Sequence, residues 1–147
     1  MGENTRSEIG GVERLLDSAL ESADEAERVA LEAARELGFP EDDQHRIGMA
    51  VREAIVNAVV HGNRYNAHKK VHLAVTGGQD RLTVTVGDEG EGFDLAALPD
   101  PLAEHNLLQQ SGRGIFLIRA FMDEFEVRRR VAGGTEVRLV KYLENKQ

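Results

Sequence analysis

Val71-His-Leu-Ala-Val75-Thr-Gly-Gly-Gln-Asp80-Arg-Leu-Thr-Val-Thr-Val86 is the stretch that decides the fold. Val71, Leu73 and Val75 recur at every second position, and so do Leu82, Val84 and Val86. That is the period of strands with one buried face. Between the runs lies Thr76-Gly-Gly-Gln-Asp80, which has the composition of a turn, so the stretch reads as an antiparallel hairpin. Upstream the period becomes helical. Ala26, Val29, Ala30, Ala33 and Leu37 follow Ser22-Ala-Asp-Glu25, the pattern of a capping box, and Gly38 and Pro40 end that helix. A second helix runs from about Glu41 to His61, with Ile47, Val51, Ala54, Ile55, Ala58 and Val59 on one stripe. Glu41, Asp42 and Asp43 sit at its positive end, and Gly62 and Asn63 stop it. The segment from about Glu13 to Leu20 precedes the capping box and is predicted as a short strand.

Downstream of the hairpin, residues 88–112 read as a long loop with Pro99 and Pro101 inside it. Loops of that length in a compact domain are usually functional or disordered. A helix, roughly Arg113–Met122, and two strands, about Glu124–Val131 and Thr135–Leu143, complete the chain. This order predicts an α+β fold: a two-layer α/β sandwich with a mixed, mostly antiparallel sheet and helices on one face. Residues 1–12 are expected to form a flexible N-terminus and residues 13–147 a single domain.

The chain has 147 residues, 41% of them hydrophobic, enough for one ordinary core. No apolar run approaches the ~20 residues of a membrane span, and the polar start, Met1-Gly-Glu-Asn-Thr-Arg6, has neither a signal-peptide core nor a myristoylation pattern. A cytoplasmic location is expected. Cysteine is absent, which excludes disulfides, thiol catalysis and thiolate metal sites. Basic side chains number 18 against 26 acidic, a net charge of −8. All of that excess lies in residues 1–60. Such a balance argues against direct nucleic-acid binding, which needs cations facing phosphates. His68 and His72 lie around a strand start, where residues four apart do not converge, so no zinc site is expected.

Four short pieces could carry chemistry. In Glu53-Ala-Ile-Val-Asn57-Ala-Val-Val-His61-Gly62, a continuous helix puts Glu53, Asn57 and His61 on one arc about 80° wide at the edge of the apolar stripe. A carboxylate and an amide so placed could serve as a base and a metal ligand in one cleft. They could equally be polar residues on a solvated face. The strand end Val86-Gly-Asp88-Glu89-Gly90-Glu91-Gly92-Phe93 offers a carboxylate beside spaced glycines, suited to an amine and a flat ligand, or simply an acidic turn. Asp88 is expected at the mouth of a half-buried pocket, clear of the core. Gln110-Ser-Gly112-Arg113-Gly114 opens a helix, where backbone N–H groups and the helix dipole favour an anion; a plain junction is the alternative. Gly133-Gly134-Thr135 by itself reads as a tight turn.

Taken together, Glu53-x-x-x-Asn57-Ala58-x-x-His61-Gly62, Asp88-x-Gly90-x-Gly92-Phe93, Gly112-x-Gly114 and Gly133-Gly134-Thr135 resemble the Bergerat-fold, or GHKL, ATPases. The short length and Met122-Asp123-Glu124 look most like the anti-sigma factor serine kinases within that superfamily. The resemblance implies that Glu53 is the general base and that Asn57 binds a Mg²⁺ bridging the ATP phosphates. It implies that Asp88 accepts a hydrogen bond from the adenine amine, that Gly90 and Gly92 admit the base, and that Thr135 supports Asp88. Residues 94–111 would be the ATP lid, with Gly112, Arg113 and Gly114 at the phosphates and His61 among the nucleotide-binding residues. It further implies a serine/threonine kinase using Mg-ATP, which phosphorylates a STAS-type anti-sigma factor antagonist and has a sigma factor as a second partner. A homodimer is expected. The alternative is a non-catalytic, nucleotide-gated binding switch of the same fold. Some kinases of this family carry an arginine just before the Ser-Gly-x-Gly stretch; here Gln110 stands there, which bears on phosphotransfer more than on ATP binding.

Overall fold

The computed structural model describes residues 8–90 and 114–144. The predicted hairpin is its centre. β2 (Lys70–Gly78) and β3 (Arg81–Gly87) pair antiparallel, with Val75 opposite Val84 and Leu73 opposite Val86. Val71, Leu73, Val75, Leu82, Val84 and Val86 are all buried. Removing each such side chain from water contributes about 1.5–3 kcal/mol. β1 (Glu8–Asp17) flanks β2, while β4 (Glu124–Arg129) and β5 (Thr135–Tyr142) lie on the other side, giving the order β1-β2-β3-β5-β4. The expected mixed, mostly antiparallel sheet resolves into one in which every pair is antiparallel.

Helices α1 (Ser22–Leu37), α2 (Glu41–Asn57) and α3 (Gly114–Phe121) supply the second layer. α1 buries Ala23, Ala26, Ala30, Ala33 and Ala34, and α2 buries Ala50 and Ala54, so small side chains let the two helices lie close. Arg52 on α2 donates to Asp24 and Glu27 on α1, at 2.7 and 2.8 Å. Ile118 and Met122 anchor α3 and its end in the same core. Lys141 Nζ donates to the Phe121 carbonyl at the C-terminus of α3, where a cation meets the negative end of the helix.

Two local readings need correction. β1 starts at Glu8, so residues 8–12, expected in a flexible N-terminus, belong to the sheet, with an irregularity between Glu8 and Gly10; Gly11 faces Thr76 and Val12 faces Val75. The capping box does not form. Glu21 is the N-cap, without a side-chain bond, and the Ser22 hydroxyl instead donates to the Asp17 carbonyl at 2.7 Å. A carbonyl at the end of β1 lies within reach of the hydroxyl, so the serine ties the strand-to-helix turn instead of capping the helix. Among the described residues, no helix is long and apolar enough to cross a membrane.

Candidate functional site

α2 does not run on to His61 as a regular helix. After Asn57 the backbone widens into a π-turn, Ala58–Gly62, closed by the Asn63 N–H on the Ala58 carbonyl at 2.7 Å. Turns of this kind occur mostly as single insertions in α-helices, frequently at functional sites. An i→i+5 turn holds more residues per revolution, and His61 lies within it, one residue before Gly62. His61 is exposed. Glu53 and Asn57 stay in register on the last turns of α2, and both are half-buried. Among the described residues, neither the Glu53 carboxylate nor the Asn57 amide has a hydrogen-bond or ion-pair partner. Polar groups at a buried edge are usually paired, so the two are free to engage a ligand.

The π-turn runs into the strand end that carries Asp88. Asp88 is 5% exposed, more deeply buried than the mouth of a half-buried pocket would suggest. Its Oδ1 accepts the N–H groups of Gly90 at 3.0 Å and Thr135 at 3.1 Å, while its own N–H donates to the Thr135 carbonyl at 2.9 Å. Arg130 donates to the Asp88 carbonyl at 3.0 Å. Burial pushes the Asp88 carboxyl above its ordinary value, against the opposing pull of the Gly90 and Thr135 N–H groups, Arg130 and Lys69. Among the described residues, Oδ2 makes no hydrogen bond. It remains an acceptor for a ligand's N–H.

Close approach explains the glycines. A Cβ on Gly62 would overlap the Asp88 carboxylate, and a Cβ on Gly90 would overlap the Gly62 carbonyl. Gly134, at φ 95°, lies against the Asp88 carbonyl where a side chain would also collide. Backbone therefore meets backbone at the end of α2, the Asp88–Gly90 turn and the start of β5. Gly62→Ala is expected to displace the Asp88 carboxylate. Nucleotide affinity, measured by titration calorimetry, should fall roughly tenfold or more, equivalent to about 1.4 kcal/mol, while circular dichroism still reports a folded domain.

The structure thus brings together Asp88, Gly90, Gly134 and Thr135 with the Gly62 end of the turn that follows Glu53 and Asn57. His61 lies on the same turn and is exposed. Gly114 begins α3. Gly92, Gly112, Arg113 and the expected lid, residues 94–111, lie outside the described residues. Three residues that line this junction escaped the sequence reading: Asn63, Glu89 and Arg130. Asn63 looked like a helix stop, although it is only 2% exposed. Its one sequence signal was its place directly after Gly62.

An antiparallel sheet covered by helices, with an aspartate–glycine turn locked against the end of one helix, defines an ATP-binding domain of the GHKL type. Residues 16–141 match the family of the histidine kinase-like ATPase domain, and the chain belongs to that family. It is 34% identical over 131 residues to the anti-sigma F factors of Bacillus thuringiensis (strain Al Hakam) and Bacillus mycoides (strain KBAB4), matches that cover 87% of this chain and 90% of each relative. A solved structure with a similar fold, that of the RsbU and RsbW domains of Rv1364c from Mycobacterium tuberculosis, is 21% identical with a TM-score of 0.65. That likeness covers 93% of this chain, which spans 33% of the solved one.

Proposed function

We propose that the protein is an ATP-dependent serine kinase of the anti-sigma-factor type, which phosphorylates a STAS-type anti-sigma factor antagonist and holds a sigma factor, working as a homodimer. The observation that carries this reading is the Glu53 carboxylate one helical turn from the Asn57 amide, both without a partner among the described residues, on the helix whose end abuts buried Asp88. A module that only binds nucleotide has no use for a base there. The names of the anti-sigma F factor relatives support a sigma factor as one partner.

The residues present suit Mg-ATP. Asp88 Oδ2 accepts the adenine amine, and the glycine-lined turn lets a flat base approach the backbone. Among the described residues, no group of three or more His, Asp or Glu could cage a metal. Mg²⁺ commonly takes one or two protein ligands and completes its shell with phosphates and water. Asn57 would supply the protein ligand. Mg-ATP supplies the phosphoryl group and the countercharge on it. Glu53 would take the proton of the partner's serine hydroxyl in a transfer that leaves ADP with the bridging oxygen. The N–H groups at the start of α3 would serve the phosphates.

The test is capture of partners from the native cells on the immobilised protein, with and without Mg-ATP, followed by phosphosite mapping. ATP-dependent recovery of a STAS-type protein carrying new phosphoserine is expected. Nucleotide-dependent retention without phosphoserine would instead identify a binding switch.

A further inference from the structure

We infer that Asn63 and Glu89 are positioning residues that orient the Asp88–Gly90 turn and thereby set its selectivity for adenine. The inference rests on the reading of Asp88 as the adenine acceptor. Three hydrogen bonds form a closed ring. Asn63 Nδ2 donates to the Lys70 carbonyl at 2.9 Å, the Lys70 N–H donates to Glu89 Oε1 at 3.0 Å, and the Glu89 N–H donates to Asn63 Oδ1 at 2.8 Å. The second carboxylate oxygen, Oε2, pairs with His72 Nε2 at 2.7 Å. The ring joins the residue after the π-turn, the first residue of β2 and the residue after Asp88.

Its placement is what gives it a role beyond stability. Asp88 is fixed from one side by Thr135, through a bond in each direction. That side holds the residue in the sheet, and the Gly90 N–H bonds back to the same Asp88 carboxylate. The ring supplies a further anchor from the opposite side, at the adjacent residue. Gly90 in turn lies against the Gly62 carbonyl, one residue before Asn63. Opening the ring therefore frees the turn without unpairing β3 from β5. Hydrogen bonds to His72 and to the Lys70 N–H hold the Glu89 carboxyl below its ordinary value, so it is anionic at neutral pH and binds both anchors strongly. A loosened turn lets Asp88 and Gly90 shift to suit another base. Adenine selectivity should then fall more than the folded state weakens.

ATP and GTP affinities of wild type, Glu89→Ala and Glu89→Gln, measured by titration calorimetry beside thermal unfolding of the nucleotide-free proteins, test this. In Glu89→Ala the ATP affinity should drop about tenfold, the ATP-to-GTP ratio should move toward one, and the unfolding midpoint should shift by only a few degrees. Glu89→Gln keeps an oxygen for the Lys70 N–H and should restore most of the ratio. If Glu89→Ala does not fold, His72→Ala takes its place. It removes one anchor of the carboxylate from a part-exposed position, and the ratio should fall severalfold. An unchanged ratio in these variants, or an equal loss of both affinities, would overturn the positioning role. A wild-type protein that binds ATP and GTP alike would instead overturn the adenine reading of Asp88.

Discussion

Asp88→Asn should lose ATP binding by roughly ten- to a hundredfold and erase the preference for ATP over GTP, while the domain stays folded. The wild type should bind ATP at least about tenfold more tightly than GTP, because an ionised carboxylate only accepts hydrogen bonds. Adenine presents an amine donor at the matching edge and guanine a carbonyl. Two facing acceptors in a buried site cost about 1–3 kcal/mol or more. Asparagine keeps one oxygen for the Gly90 and Thr135 N–H groups but can turn an NH2 toward the base. That donor opposes adenine and suits guanine. Asp88→Ala is the poorer test. The residue is buried and holds two backbone N–H groups, so its removal would orphan them. Titration calorimetry against both nucleotides checks the outcome; undiminished ATP binding by Asp88→Asn would sink the assignment.

The same burial has a pH consequence. The folded state raises the Asp88 carboxyl above 3.8, so it binds the proton more tightly than the unfolded chain does. The ionised group is therefore a cost to stability. That cost is absent below the unfolded value and fully present above the raised one, so this contribution falls as pH rises through the window between them. ATP affinity should follow the opposite course and weaken as pH falls into that window, because the protonated acid loses an acceptor. Asp88→Asn should remove both dependences, seen as flatter profiles of unfolding midpoint and affinity against pH.

Glu53→Ala should abolish phosphotransfer and leave ATP binding within a few-fold of wild type. The carboxylate is half-buried, has no partner among the described residues, and lies one turn before Asn57. Removing it therefore deletes a base without breaking a bond to any described residue. General-base contributions are typically about 10²–10⁴-fold, so single-turnover assays with the captured partner should show a plain loss. A mutant that phosphorylates at the wild-type rate would show that Glu53 is not the base. A wild type that transfers nothing while binding ATP and its partner would favour the switch.

Period alone determined the layers of this protein. The alternation of Val71 to Val86 and the helical stripes of α1 and α2 record which side of each element leaves water, and burial of apolar side chains is what drives the sheet and helices together. Spacing likewise placed Glu53 and Asn57 on one edge, because i and i+4 share a helix face. Tertiary structure decided the rest. Ser22 bonds the end of β1 instead of capping its helix, since a hydroxyl takes whichever acceptor folding brings near. The end of α2 widens into a π-turn that carries His61, closed by the Asn63 N–H on the Ala58 carbonyl. Asp88 is buried, and Asn63, Lys70 and Glu89 form a ring, only because residues far apart in the chain converge at one junction. Periodicity reports where water is excluded along one element; the pairing of polar groups between elements is set by their packing, which leaves no period to read.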